Sequence, residues 1–475
     1  MSKRRKQFLR TDAGNAEIFA EASRDDLRFD HKRKRWLRWQ GHRWSVDFVE
    51  FAIRRAVGIA RYRAQVANRL KGEEKEKEIA WALASESRAH LDAMIYLARS
   101  KDPVADSGEG WDSDPMLLGV ANGVVDLRSG KVRSGQPSDK ITLHTNINFD
   151  RTASCPRWFL FLSEVFGGDE AVIEYVQRAV GYCLSGDVRE QCLFLLYGIG
   201  ANGKSTLLRI LLDLFGTYGF NLPFSAFELK ARSAIPNDIA AIAGKRLVTA
   251  IETSESAQLN EARIKALTGG DEITARHLYH DFFTFSPAAK FWLAVNHLPE
   301  VGDDSPGFWR RIRLIPFLQR FDDKTADKDL FAKLKAEASG ILNWAIQGCL
   351  KWQERGLGMP PAVQEGSDAY RQESDPLVDF IEECCDVSPS ASVPVAELWQ
   401  ARQVWESENP GRTMDRLTFS RRLEARGFKK VRHGHKRTWT WLGIGLKGNG
   451  GGTHPGPWVR PLRTDADVNS SIVVS

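Results

Sequence analysis

Residues 198–205 read GIGANGKS and fit G-x-x-x-x-G-K-S at every position. CLFLLYG precedes the motif, a short apolar run of the kind that forms a parallel strand buried on both faces. STLLRILLDLFG follows with helical spacing. Strand, glycine-rich loop and helix in that order confine this part of the chain to an α/β sheet whose loop wraps a phosphate. The glycines let backbone N–H groups turn inward, and the helix N-terminus adds its positive end. The nucleotide-contacting stretch is therefore read as Gly198, Ile199, Gly200, Ala201, Asn202, Gly203, Lys204, Ser205 and Thr206. Lys204 is expected to reach the β- and γ-phosphates of ATP and Ser205 to hold Mg²⁺, while Thr206 suits packing or capping.

A phosphate loop binds a nucleotide; hydrolysis also needs an acid at the end of a neighbouring strand. Further apolar runs occur at Arg246–Ile251, Phe291–Val295 and Ile312–Phe317, so strands alternate with helical stretches over roughly 187–325. Glu252 directly follows LVTAI and is the expected Mg²⁺ ligand or polariser of the attacking water. Glu255 is either its partner or a helix cap. Asn296 ends FWLAVN, at the carboxyl edge where open α/β sheets bind ligands, and is expected to orient water and touch the γ-phosphate. In FWRRIRLIPF, one of Arg310 and Arg311 is read as a finger toward a neighbouring subunit's γ-phosphate and the other as structural, with Arg311 favoured as the finger.

Outside the core, residues 1–186 read as a mainly helical α+β region, with a hairpin turned at Gly41 and short hairpins near Asn122-Gly123 and Ser129-Gly130. The ATPase region is placed at 187–355, a linker at 356–375, a winged-helix domain at 376–445 and a disordered tail at 446–475. At 42% hydrophobic and 27% charged residues, a mostly disordered chain is excluded.

The 67 Lys and Arg against 61 Asp and Glu leave only +6, so the placement of the bases carries the argument. Arg421, Arg422, Lys429, Lys430, Arg432, Lys436 and Arg437 crowd the expected third helix and wing, an electrostatic footprint for DNA phosphate. Thr274–Leu278 and Phe282–Ser286 are expected to pair as a hairpin turned at Tyr279-His280-Asp281. Arg276, His277, Tyr279 and His280 would then meet phosphates and bases. Lys265 and Lys290 read as solvated surface. The six cysteines lack zinc spacing and read as free thiols. The basic N-terminus lacks an apolar signal core, and no uncharged apolar run is long enough to span a membrane.

GIGANGKST, RLVTAIETSES, LTGGDEITAR, FWLAVNHLPEV and FWRRIRLIPF together resemble a superfamily 3 helicase. More narrowly, they resemble the helicase part of phage and plasmid primase–helicases, the group that includes the poxvirus primase-helicase. DAGNAEIF, GVANGVVDLRSGKV and VFGGDEAVIEYVQRAVGYCLSGD extend the resemblance to about residues 10–445. It implies an AAA+-type ATPase that assembles as a ring, commonly a hexamer. ATP would lie between subunits, the arginine finger would act in trans, the hairpin would project into the central channel, and translocation would run 3′ to 5′ on single-stranded DNA. With the match beginning near residue 12, no primase domain is expected, so a separate primase is an expected partner beside single-stranded and forked DNA. The expected setting is replication of a phage, prophage or plasmid in the cytoplasm of a bacterial host. Two other readings stay open: an AAA+ ATPase that loads or remodels without processive unwinding, and a DNA-binding module whose ATP site only supports assembly.

Overall fold

The computed structural model describes residues 8–229, 237–252, 257–276, 281–302, 305–322, 327–409, 414–433 and 438–448. It is a mixed α/β structure that divides into two compact units, 1–368 and 369–475.

The first unit opens with α1 (Asp12–Ala22), where the Thr11 hydroxyl accepts from the Gly14 N–H at 3.1 Å and satisfies one of the helix's orphan donors. Next come β1 (Leu27–Asp30), β2 (Arg35–Trp39) and β3 (Trp44–Val46), an antiparallel meander with Gly41 in the β2–β3 turn as expected. α2 (Phe51–Ala67), α3 (Glu73–Ser85) and α4 (Arg88–Ala98) follow, and Phe19, Ala56, Ile59 and Met94 share one core. β4 (Ala105–Asp106) joins β1 in parallel. β5 (Leu117–Val120), β6 (Gly123–Asp126) and β7 (Lys131–Arg133) form the two short hairpins read from the turn residues. α5 (Pro156–Val165) and α6 (Glu170–Leu184) precede the central sheet.

That sheet is built from β8 (Leu193–Tyr197), then α7 (Lys204–Phe215), β9 (Gly219–Asn221), α8 (Asn237–Ala240), β10 (Leu247–Ile251) and α9 (Glu261–Gly269). A two-stranded insert, β11 (Ile273–Ala275) and β12 (Phe283–Phe285), comes before β13 (Lys290–Val295), α10 (Pro306–Trp309) and β14 (Ile312–Pro316). The sheet order is β14-β8-β13-β10-β9, and all neighbouring strands are parallel. β8 and β13 are buried almost end to end, as a parallel sheet covered on both faces requires. Four of the five strands coincide with the apolar runs of the sequence. β9 does not, because the edge sequence Gly-Phe-Asn carries no such run.

α11 (Leu330–Ala336), α12 (Ala338–Arg355) and α13 (Pro361–Glu373) complete the unit, with α13 ending beyond its boundary. α13 occupies most of the stretch expected to be a linker, and its Val363 is fully buried in the core. One core also runs across residue 187, joining Trp158, Tyr175 and Val176 to Phe194, Leu207 and Trp344.

Lys290 corrects an expectation. It is not solvated surface but 2% exposed, and its ammonium donates to the carbonyls of Ser185 at 2.5 Å, Asp187 at 3.2 Å and Ala288 at 2.8 Å. Buried Arg246 donates to Leu184 O at 2.6 Å. Together they satisfy carbonyls at the C-terminus of α6, where the helix dipole favours cations. Burial lowers the Lys290 pKa to about 7.

The second unit contains α14 (Pro376–Cys384), β15 (Cys385–Pro394), α15 (Val395–Glu408), α16 (Arg416–Ala425), β16 (Lys429–His433) and β17 (Thr438–Leu446). The strands form an antiparallel sheet of order β15-β17-β16 beside the three helices, around Leu377, Phe380, Leu398, Trp405, Phe419 and Trp441. The helix and the hairpin that carry the crowded bases lie where the sequence places them; β15, rich in Ser and Pro, does not read as a strand. From residue 449 the expected tail lies outside the described residues. All six cysteines are free and buried.

Candidate phosphate-binding site

β8 ends at Tyr197 and α7 begins at Lys204, so the loop 198–203 sits at the carboxyl edge of a parallel sheet and at a helix N-terminus. α7 is anchored by its apolar face, with Leu207, Leu208, Leu211, Leu214 and Phe215 buried at helical spacing. Gly203 has φ +87°, and a Cβ there would stand 2.6 Å from Val165 Cγ1, so the helix start and α5 both demand glycine. The segment after β14 closes the loop from the side: Phe317 N–H donates to Tyr197 O at 2.7 Å and Phe321 N–H to Ala201 O at 2.8 Å. Ser205 is exposed in the first turn of α7 and Thr206 is half-buried, while Ile199 protrudes from the loop.

Lys204 is 4% exposed. Its ammonium donates to Gly198 O, to Asn202 Oδ1 at 3.1 Å and to Asn296 Oδ1 at 3.1 Å. None of these acceptors is charged. Burial lowers the lysine pKa to about 8, against the opposing pull of Glu252. A buried cation held by neutral dipoles is under-compensated, so a polyanion entering the loop would recover part of its desolvation cost.

Glu252 follows β10 and is 9% exposed. Its Oε2 accepts from the backbone N–H of Asn296 at 2.8 Å and of His297 at 3.1 Å. Its Oε1 is buried and has no hydrogen-bond partner among the described residues. A carboxylate with one oxygen pinned and the other buried but unpartnered suits a cation or a water molecule, which is the fit that Mg²⁺ and an attacking water require. β10 and β13 are adjacent and parallel, which brings Glu252 and Asn296 to the same sheet edge as the loop. The structure thus gathers Lys204, Asn202, Glu252 and Asn296. Glu255 lies outside the described residues.

Arg310 and Arg311 lie at the opposite, amino edge of the sheet, just before β14. Arg311 is 8% exposed; its guanidinium donates to Thr268 Oγ1 at 3.0 Å and to Gly307 O. Burial, reinforced by Arg310, lowers its pKa. Arg310 is exposed and donates to Gln191 Oε1 at 3.0 Å. Burial therefore favours Arg310, not Arg311, as the residue able to reach outward.

β11 and β12 pair antiparallel, with Ile273 opposite Phe285 and Ala275 opposite Phe283. Arg276 is exposed at the top of the described ladder, its guanidinium 5.1 Å from the Phe282 ring centroid. His277, Tyr279 and His280 lie outside the described residues. In the second unit Arg421, Lys429 and Arg432 are exposed and Lys430 is half-buried. Arg422 is half-buried and its guanidinium lies 3.5 Å from the Asp375 carboxylate. Lys436 and Arg437 lie outside the described residues. Sequence reasoning missed the backbone clamp on Glu252 and the loop closure by Phe317 and Phe321. Both use main-chain N–H groups as donors, which no residue pattern encodes.

Residues 16–167 match a family described as D5 N terminal like, and residues 196–311 match a family of unknown function, DUF5906. A protein of Acanthamoeba polyphaga mimivirus named "Putative helicase" is 31% identical over 325 residues, covering 63% of this chain and 34% of its own. A protein of African swine fever virus named "Putative primase" is 23% identical over 326 residues, covering 63% of this chain and 34% of its own. The chain thus spans about a third of the length of these relatives. The apo structure of the NrS-1 C terminal region superposes with a TM-score of 0.50 at 9% identity, covering 91% of this chain and 99% of that one; this likeness concerns the fold alone. Among the described residues no helix is long and apolar enough to cross a membrane.

Proposed function

We propose, on the premise that the chain belongs to a primase-helicase-like family, that it is an ATP-hydrolysing DNA helicase of superfamily 3 type, acting in replication of a mobile or viral genome. The observation that carries this reading is the junction of Lys204, Asn296 and Glu252 at one sheet edge, with Glu252 Oε1 buried and unpartnered.

In this reading the loop N–H groups and Lys204 hold the β- and γ-phosphates of ATP. Ser205 and Glu252 would hold Mg²⁺ beside the phosphates, where it would supply charge neutralisation for the transferring group. Glu252, fixed by two backbone N–H groups, orients the attacking water through its second oxygen. Asn296, released from Lys204, is placed to meet the γ-phosphate or that water.

Arg310 cannot complete the site of its own chain, because β8 alone separates the two sheet edges by about 16 Å. An exposed arginine on the far edge supports a shared site, with Arg310 reaching the nucleotide of a neighbouring copy in an AAA+-type ring, for which six subunits are proposed. The β11–β12 hairpin, carrying Arg276 and residues 277–280, is the proposed contact to single-stranded DNA. The second unit, read as a winged helix, adds a basic surface through Arg421, Lys429, Lys430 and Arg432.

The test is ATP hydrolysis by the purified chain with and without single-stranded DNA, beside Lys204→Ala. Stimulation by DNA in the wild type and loss of turnover in the variant are expected. Absence of hydrolysis in the wild type would sink the reading, and hydrolysis without strand displacement would favour a loader or remodeller.

A further inference from the structure

The second unit contains a groove of about 530 Å³, lined by Val395, Arg416, Leu417, Ser420, Lys430 and Trp439 among others. That volume lies within the range of small-molecule sites. Its walls come from the first turns of α15 and α16 and from the β16–β17 hairpin. No acidic side chain is among the described residues that line it.

Trp439 and Trp441 alternate on the same face of β17, yet their fates differ. Trp441 is fully buried in the core, whereas Trp439 keeps 45% of its surface open. Antiparallel register places Arg432 opposite Trp439 and Lys430 opposite Trp441. The Arg432 guanidinium lies 5.0 Å from the Trp439 ring centroid and the Lys430 ammonium 5.5 Å from it. The largest aromatic side chain is thus held half out of the protein, with two cations from the neighbouring strand near its ring, in the lining of a groove that carries a third, Arg416. An apolar peptide would need no such charge, and a duplex keeps its bases stacked within itself. A flat apolar surface ringed by cations matches an unpaired base with its flanking phosphates.

We propose that Trp439 is a stacking platform for an unpaired base of single-stranded DNA, with Lys430, Arg432 and Arg416 meeting the neighbouring phosphates. The proposal deepens the reading of the second unit as DNA-binding and rests on it.

The test measures nucleotide-free binding of the full chain to an oligothymidylate of about a dozen residues, to an abasic strand of equal length and to a duplex. Trp439→Ala should weaken oligothymidylate binding about 10-fold and leave the abasic strand and the duplex unchanged, while Trp439→Phe retains most of the affinity. A strand carrying 5-iododeoxyuridine should crosslink at residue 439. Unchanged oligothymidylate binding in Trp439→Ala, equal losses on all three probes, or a crosslink map without residue 439 would overturn the platform. Failure of the wild type to bind any of the strands would remove the DNA reading beneath it as well. ATP hydrolysis by Trp439→Ala without DNA should match the wild type, so a failed platform is distinguishable from a failed motor.

Discussion

The Lys204 ammonium donates to the Asn296 side-chain carbonyl at 3.1 Å, joining the phosphate loop to the end of β13 across 92 positions of sequence. Both residues have a proposed role toward the γ-phosphate, and in the free protein they hold one another. Nucleotide binding must exchange this neutral partner for charged oxygens, and the exchange has a proton signature.

Burial brings the Lys204 pKa down to about 8 in the free protein. Phosphate oxygens favour the charged form and raise it again, so nucleotide binding near pH 8 should take up about half a proton. Calorimetry in buffers of different ionisation enthalpy reads this directly. The uptake should vanish near pH 6, where the lysine is already charged, and in Lys204→Ala. Proton release at pH 8 would contradict the assignment.

Glu252→Gln keeps an acceptor for the N–H groups of Asn296 and His297 and removes the charge. It should leave ATP affinity within about threefold and lower the hydrolysis rate about 100-fold or more. Equal losses in binding and turnover would make Glu252 a structural residue.

The two arginines should separate by assay. Arg311→Ala breaks buried hydrogen bonds to Thr268 and Gly307 and should cost about 1–3 kcal/mol of stability. Arg310→Ala, at an exposed site, should leave the melting temperature unchanged and lower ATP hydrolysis about 1000-fold. Mixing Arg310→Ala with Lys204→Ala subunits should restore part of the activity, since some interfaces then pair an intact loop with an intact arginine. Silence of the mixture would argue against a shared site.

Lys290 predicts a pH dependence of stability. Its folded pKa is lowered to about 7, so the unfolded chain binds more protons between that value and the ordinary lysine range. Its contribution therefore favours the fold increasingly as pH rises from about 7 to 9, with a slope of up to about 1.4 kcal/mol per pH unit. Denaturant midpoints of the wild type against Lys290→Met should show this rise in the wild type and a flatter profile in the variant.

Much of the site was legible because the chemistry lies where regular patterns stop. GIGANGKS announces the loop, and Glu252 and Asn296 each terminate an apolar strand, so a parallel sheet had to bring them to one edge. The β11–β12 pairing was legible as a hairpin, though its described ladder begins one residue earlier than expected, at Ile273. Burial of individual charges was not legible. Arg310 and Arg311 are neighbours of the same type, and only the contacts of Arg311 with Thr268 on α9 and Gly307 on α10 mark which is sealed. Lys290 looked like surface because two of its three acceptors are main-chain carbonyls just after α6, over 100 positions away. Trp439 and Trp441 carry the same sequence signal, and only the packing of the second unit leaves the first half open.

The measurement that bears most directly on the central claim is strand displacement from a forked DNA by the wild type and by Glu252→Gln, each with ATP and Mg²⁺. The wild type should separate the strands only when ATP is present, and Glu252→Gln should bind the fork and ATP yet leave it intact. Displacement that persists in Glu252→Gln, or its absence in a wild type that hydrolyses ATP, would contradict a helicase driven from this site.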